Sequence, residues 1–235
     1  MNKILFLTIS LSILFSGCGQ TAEEFCNAGT AKYDLKDYQG AISEFTKAIE
    51  IDPGCAEAYF SRGIAKSDLL DYTGAIADYT RAIGLHPGDA NIYYNRAVDK
   101  GEIQDFNGAI ADFSSAIEIN PKFAEAFYNR GTAKYEVDDY QGAITDFTAA
   151  IAIDPEYAYA YFNRGNAKSD LHNYNGAIED YSMAIKIDPE DAASYSNRGI
   201  AEIESGLKES GCADLKKAGG LGYAKAEELI KKYCK

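Results

Sequence analysis

Histidine is nearly absent from this 235-residue sequence, and tryptophan is missing altogether. His86 precedes Pro87 and His172 falls between two helical patterns. Neither has a cysteine or a second histidine at metal-ligand spacing, so no transition-metal centre is expected. No Gly-x-Ser-x-Gly elbow, phosphate-binding loop or zinc-protease helix occurs, and acidic pairs such as Asp138-Asp139 lack calcium-loop spacing. The sequence therefore reads as non-catalytic, with no metal and no cofactor. Positive charge is short as well: 23 Lys and Arg stand against 36 Asp and Glu, a formal net charge of −13. Such a surface repels phosphate backbones and anionic headgroups, which argues against nucleic acid and against electrostatic docking on a membrane. Cationic partners are favoured, although acidity also serves solubility. Long apolar runs are lacking too. Ile4 to Phe15 covers 12 residues, against roughly 20 needed to span a bilayer as a helix.

Proline is scarce and, for that reason, informative. Pro53, Pro87, Pro121, Pro155 and Pro189 are all the prolines there are, and each lies 34 residues from the next. The same text precedes each, for example Tyr140-Gln141-Gly142-Ala143-Ile144-Thr145-Asp146-Phe147. One register divides the chain into units 22–55, 56–89, 90–123, 124–157, 158–191 and 192–225. Each unit carries two helical patterns. In the fourth, Phe127, Gly131, Val137 and Tyr140 mark the first helix and its turn, and Ala143, Phe147 and Ala150 mark one face of the second. Glycine at the eighth position (Ala97 in the third unit) costs helix propensity, and close approach of the paired helix at Ala of position twenty is the expected reason. Asp-Pro or Asn-Pro ends the second helix, because proline disfavours helical geometry in the residue before it.

The sixth unit decays: Gly211 replaces alanine, Lys208 stands in an aromatic position and so does Leu215. Tyr223 to Tyr233 reads as an amphipathic helix, and 226–235 as a cap over the last unpaired face.

The period and the small and aromatic positions resemble the tetratricopeptide repeat (TPR) over about 200 residues. The resemblance implies an all-α, right-handed solenoid of six helix-turn-helix repeats with a C-terminal capping helix, one continuous body rather than separable domains. Two columns depart from the family, which often has Leu at position seven and Tyr at eleven. Here these are Arg62, Arg96, Arg130, Arg164 and Arg198, and Lys32, Lys66, Lys100, Lys134 and Lys168. Position 23 is acidic in every unit: Glu44, Asp78, Asp112, Asp146, Asp180 and Asp214. Positions seven and eleven share a helix face, so a ladder of charge pairs between helices is expected, with a cationic binding stripe as the alternative.

The N-terminus reads as an address. Lys3 and the apolar run have the form of a secretory signal, and Phe15-Ser16-Gly17-Cys18 resembles the bacterial lipobox, with Phe15 where Leu is usual. That resemblance implies a signal peptide over 1–17, acyl chains including palmitate on Cys18, and a lipidated tether over 18–21. Ordinary cleavage near Gly17 is the alternative. Gly19 stands where the inner-membrane retention signal would put Asp, so the resemblance implies the outer membrane of the cell envelope, facing the periplasm.

In solenoids of this family the first helices line the concave surface. Positions five, six and thirteen of that surface supply Asn27, Phe60, Tyr94, Asn95, Tyr128, Asn129, Phe162, Asn163 and Asn197, with Glu102, Glu136 and Asp170. Asn both donates and accepts, so its column can bond an extended peptide backbone of any sequence. Aromatics supply buried area, and carboxylates favour a basic ligand. The alternative is that each Asn bonds the neighbouring helix and the acids only solvate an exposed face.

Apart from Cys18, the cysteines are Cys26, Cys55, Cys212 and Cys234. An exported chain can keep disulfides. The sixth unit's second helix and the cap should run antiparallel, which favours Cys212–Cys234; Cys26–Cys55 is also open, and reduced buried thiols are the alternative. The sequence thus points to a non-catalytic protein-binding scaffold at the bacterial envelope, an adaptor or assembly factor taking an extended peptide or partner helix in its concave groove. A structural protein that self-associates is the alternative.

Overall fold

Each repeat becomes a helix pair because it carries two stop signals. The computed structural model describes residues 20–235; the signal sequence and Cys18 lie outside the described residues. The first helices of the repeats are α1 (Gln20–Asp34), α3 (Ala56–Asp68), α5 (Ala90–Glu102), α7 (Ala124–Glu136), α9 (Ala158–Asp170) and α11 (Ala192–Glu204). The second helices are α2 (Tyr38–Ile51), α4 (Tyr72–Leu85), α6 (Phe106–Ile119), α8 (Tyr140–Ile153), α10 (Tyr174–Ile187) and α12 (Lys208–Gly220), and a single helix, α13 (Ala226–Tyr233), ends the chain. Among the described residues no helix is long and apolar enough to cross a membrane.

The first stop is a residue in the left-handed region, Lys36, Leu70, Gln104, Asp138 or His172, with φ between 59° and 64°. Directly after it Asp37, Asp71, Asp105, Asp139 or Asn173 caps the second helix by accepting from a glycine N–H three residues on. The second stop is the extended residue before proline: Asp52, Asn120, Asp154 and Asp188 have φ between −129° and −123°. Two boundaries differ from expectation. Helix α1 begins at Gln20, inside the stretch read as a tether, and the tail is helical only from Ala226 rather than from Tyr223.

The chain forms two compact units, one ending at Pro87 and the other spanning Gly88–Lys235. In the first, Phe45 and Tyr79 are buried with Ala41, Ala48 and Ala75; in the second, Phe113, Phe147, Tyr181 and Leu215 hold the same position among buried alanines. In four repeats the eighth-position glycine makes room for that ring rather than for the alanine of position twenty, whereas in the last repeat Gly199 does approach position twenty, at Gly211. A Cβ on Gly131 would lie 2.8 Å from the Phe147 ring.

The last repeat is built more tightly. A Cβ on Gly211 would lie 2.3 Å from the Gly199 carbonyl oxygen and 2.6 Å from Ile203. Restoring the repeat's usual alanine with Gly211→Ala should therefore destabilise the chain by about 1–3 kcal/mol, the usual cost of overpacking. Urea unfolding followed by circular dichroism checks this, and an unchanged midpoint would contradict it.

Cys212 on α12 and Cys234, just past α13, form a disulfide with Cα atoms 5.7 Å apart. Cys26 and Cys55 are not joined to each other, against the second pairing considered above. Their sulfurs are 3.9 Å apart, nearly twice the bonded distance of about 2.05 Å. Cys26 is a free, buried thiol whose pKa burial pushes up to about 12, with Glu57, Glu23 and Asp52 adding to the rise.

Candidate functional site

The charged columns meet inside the repeats. Arg130 Nε and Nη2 donate to the two Asp146 oxygens at 2.9 and 2.7 Å, and Lys134 Nζ lies 2.8 Å from the same carboxylate. The remaining arm, Nη1, donates to Ser114 of the preceding repeat at 3.0 Å, while the guanidinium lies over the Phe127 ring. Arg62, Arg164 and Arg198 reach back in the same way to Thr46, Thr148 and Ser182. Arg62–Asp78, Arg96–Asp112, Arg164–Asp180 and Arg198–Asp214 repeat the two-pronged bond. The Asp146 side chain is 2% exposed. These arginines hold repeats together and are not a cationic binding stripe. The hydroxyl at position 25 was not picked out from sequence, and the aromatic at position four, Phe127 in the fourth unit, was read only as a mark of the first helix.

One rung is reversed. Glu202 stands where the other repeats have lysine; it is buried, and its Oε2 has no hydrogen-bond partner among the described residues. Burial pushes its carboxyl above the ordinary glutamate value, the Ser210 hydroxyl draws it back, Asp214 adds to the rise and Arg198 opposes it. The folded-state value thus exceeds the unfolded one. The stabilising contribution is complete below the unfolded value and is lost as pH rises through the raised folded value. Glu202→Gln should remove that part of the fall in melting temperature across this window, and an identical pH profile in the variant would contradict the assignment.

The face made by the first helices is clearest in the second compact unit. Tyr94 stacks on Phe123 with centroids 4.8 Å apart, and one repeat later Tyr128 packs on Tyr157 at 4.9 Å. Asn129 Nδ2 donates to the Tyr94 hydroxyl at 2.9 Å, and Asn163 Nδ2 to that of Tyr128 at 2.8 Å. Phe162 offers no hydroxyl, so Asn197 donates instead to Asn166 Oδ1 at 2.9 Å. Asn95 donates within its own helix, to the Asn91 carbonyl. The Asn amides thus bond neighbouring groups, as the alternative reading had it. Each such bond uses one amide hydrogen, and a tyrosine oxygen that accepts still has its own O–H to donate. Burial pushes the Tyr94 hydroxyl up to about 12, with Glu125 adding to the rise and Asn129 opposing it, so it stays a neutral donor.

Asp170 of the acidic column accepts from the Tyr135 hydroxyl across one repeat, while Glu102 and Glu136 are exposed. Asn27 and Phe60 belong to the first compact unit, where Asn27 is exposed and the Phe60 ring lies 5.9 Å from Tyr79. Phe123 and Tyr157, at the last position of their units, were missed in the sequence because that column otherwise reads Cys55, Asp89, Asp191 and Lys225. Tyr159, 51% exposed, and Glu125 belong to the same face, at position two.

Family models agree with this architecture. Models described as tetratricopeptide repeat match residues 26–90 and 158–191, and a TPR-repeat model matches 102–138 and 133–171, together 155 of the 235 residues. Among solved structures, MamA is 28% identical over 76% of this chain and 94% of its own, with a TM-score of 0.68. YrrB, described as a TPR protein with an unusual peptide-binding site, is 22% identical over 80% of this chain and 97% of its own, TM-score 0.71. Pseudomonas aeruginosa pilF is 15% identical over 90% and 97%, TM-score 0.73. These last two likenesses are of fold alone. No curated protein matches the sequence. With the period, the helix pairing and the family models in agreement, the chain belongs to the tetratricopeptide-repeat family.

Proposed function

We propose that this protein is a non-catalytic binding scaffold that takes an extended peptide or a partner helix on the face of its first helices, as an adaptor or assembly factor. The observation that carries the reading is the two ring pairs Tyr94/Phe123 and Tyr128/Tyr157, with the Tyr94 and Tyr128 hydroxyls each held by an Asn of the next repeat. Rings fixed by stacking offer apolar area at little entropic cost, and the O–H groups of Tyr94 and Tyr128, in two consecutive repeats, can donate to carbonyls of a ligand backbone. Glu125 beside them favours Lys or Arg in the ligand. YrrB, a relative by fold, binds peptide, which is consistent with this use. The lipobox-like sequence ending at Cys18 supports an acyl anchor that would hold the scaffold at the envelope, in the outer membrane facing the periplasm.

A pull-down from detergent-solubilised envelopes tests the reading. Removing the Asn column is not a clean probe, because Asn129 and Asn163 also tie repeats together. Tyr159→Ser with Glu125→Ala is cleaner, since neither side chain has such a bond. The native chain should retain a specific partner that this variant loses at unchanged melting temperature. Equal retention by both would contradict the proposal.

A further inference from the structure

The turns that join first to second helices form a surface the binding face does not use. In the second compact unit these are residues 102–105, 136–139, 170–173 and 204–207. Each turn puts a large apolar side chain into solvent: Ile103 is 48% exposed, Val137 38%, Leu171 45% and Leu207 54%. Single exposed apolar residues are ordinary, but one per turn in consecutive repeats is a patch. Adjacent turns lie side by side, because the Tyr135 hydroxyl at the end of α7 donates to Asp170 at the end of α9. The side chains are also firmly mounted. Val137 N–H donates to the Lys134 carbonyl, and Asp138 follows in the left-handed region at φ 62°. Exposed carboxylates flank them, among them Glu102, Asp105, Glu136, Asp138, Asp139 and Glu204, and the four turns contain no lysine or arginine.

We propose that this edge docks a cationic amphipathic helix of a partner protein, its apolar face on Ile103, Val137 and Leu171 and its Lys or Arg side chains against the flanking carboxylates. Charge decides the occupant. A second copy of this chain carries the same net charge of −13 and, edge to edge, the same carboxylates, and anionic lipid headgroups carry the same sign, so both are repelled. The surface lies at the helix ends, apart from Tyr94, Tyr128 and Tyr159, so it can serve a partner different from the one on the first-helix face.

A labelled synthetic peptide of leucine and lysine, with leucines at helical spacing, tests this by fluorescence anisotropy on the full chain. Its leucine–glutamate counterpart is the control. Ile103→Ser, Val137→Ser and Leu171→Ser together should weaken binding of the cationic peptide by about 10-fold, as loss of central anchors does. Since all three side chains are exposed, the melting temperature should stay put. Val137→Asp separates docking from charge attraction alone. It makes the edge more acidic, so mere attraction would tighten binding, whereas the docked helix predicts weaker binding. The proposal is overturned if the triple variant binds like the native chain, if Val137→Asp binds more tightly, or if the leucine–glutamate peptide binds equally well. Tyr159→Ser with Glu125→Ala should leave this binding unchanged, so the two surfaces can fail separately.

Discussion

Asp146→Ala is expected to destabilise the protein by about 3–5 kcal/mol, the cost of breaking a buried ion pair from one side. Asp146 takes both prongs of Arg130 and the Lys134 ammonium. Its removal leaves two cations facing each other in a part-buried site. The damage should extend beyond one repeat, because Arg130 also donates to Ser114 of the repeat before. Repeat stability is roughly a sum of unit and neighbour terms, so α7 and α8 should melt ahead of the rest. Replacing Asp146, Arg130 and Lys134 together by apolar residues should recover much of the loss, since a buried pair adds little over good packing. Urea unfolding followed by circular dichroism reads all three chains. A cost below about 1 kcal/mol for Asp146→Ala, the range of an exposed pair, would mean the rungs do not hold the array.

The second large effect is expected at the other end of the chain. Cys234→Ser opens a disulfide that closes a segment of 22 residues. Loop-closure entropy for that length is about 3 kcal/mol. The last repeat is the one least able to absorb the loss: Leu215 replaces a ring in its core and Glu202 replaces the lysine of its rung. The variant should show early loss of amide protection confined to α12 and α13. A reductant should reproduce this loss at α12 and α13 in the native chain and add nothing at those two helices in the variant. Equal protection of the two chains in the oxidised state would contradict the expectation.

What the sequence made legible was whatever repeats with the period. Prolines at a fixed interval placed the second helix ends, and the glycine and aromatic columns placed the packed faces. The ladder could be read because its members recur along the chain: Arg130 and Asp146 have counterparts in four other repeats. Contacts between repeats were less legible. Ser114 and Thr148 accept from arginines of the next repeat, and a serine–threonine alternation reads as surface noise. The Asn column was visible, but the direction of its donors was not. Whether Asn129 serves a ligand or Tyr94 depends on a hydroxyl 35 residues away, which one helix cannot indicate. The turn cap at Asp139 was seen only as part of an acidic pair without calcium-loop spacing, and its bond from the Gly142 N–H was not read.

The central claim divides the molecule between rungs that hold it together and a first-helix face that binds. The dissociation constant of the partner recovered from envelopes tests that division most directly, measured for the native chain and for Tyr159→Ser with Glu125→Ala. The account predicts at least about 10-fold weaker binding by the variant, with an unchanged melting temperature. Equal affinity in a variant of unchanged stability would contradict it and move the binding surface off the first helices.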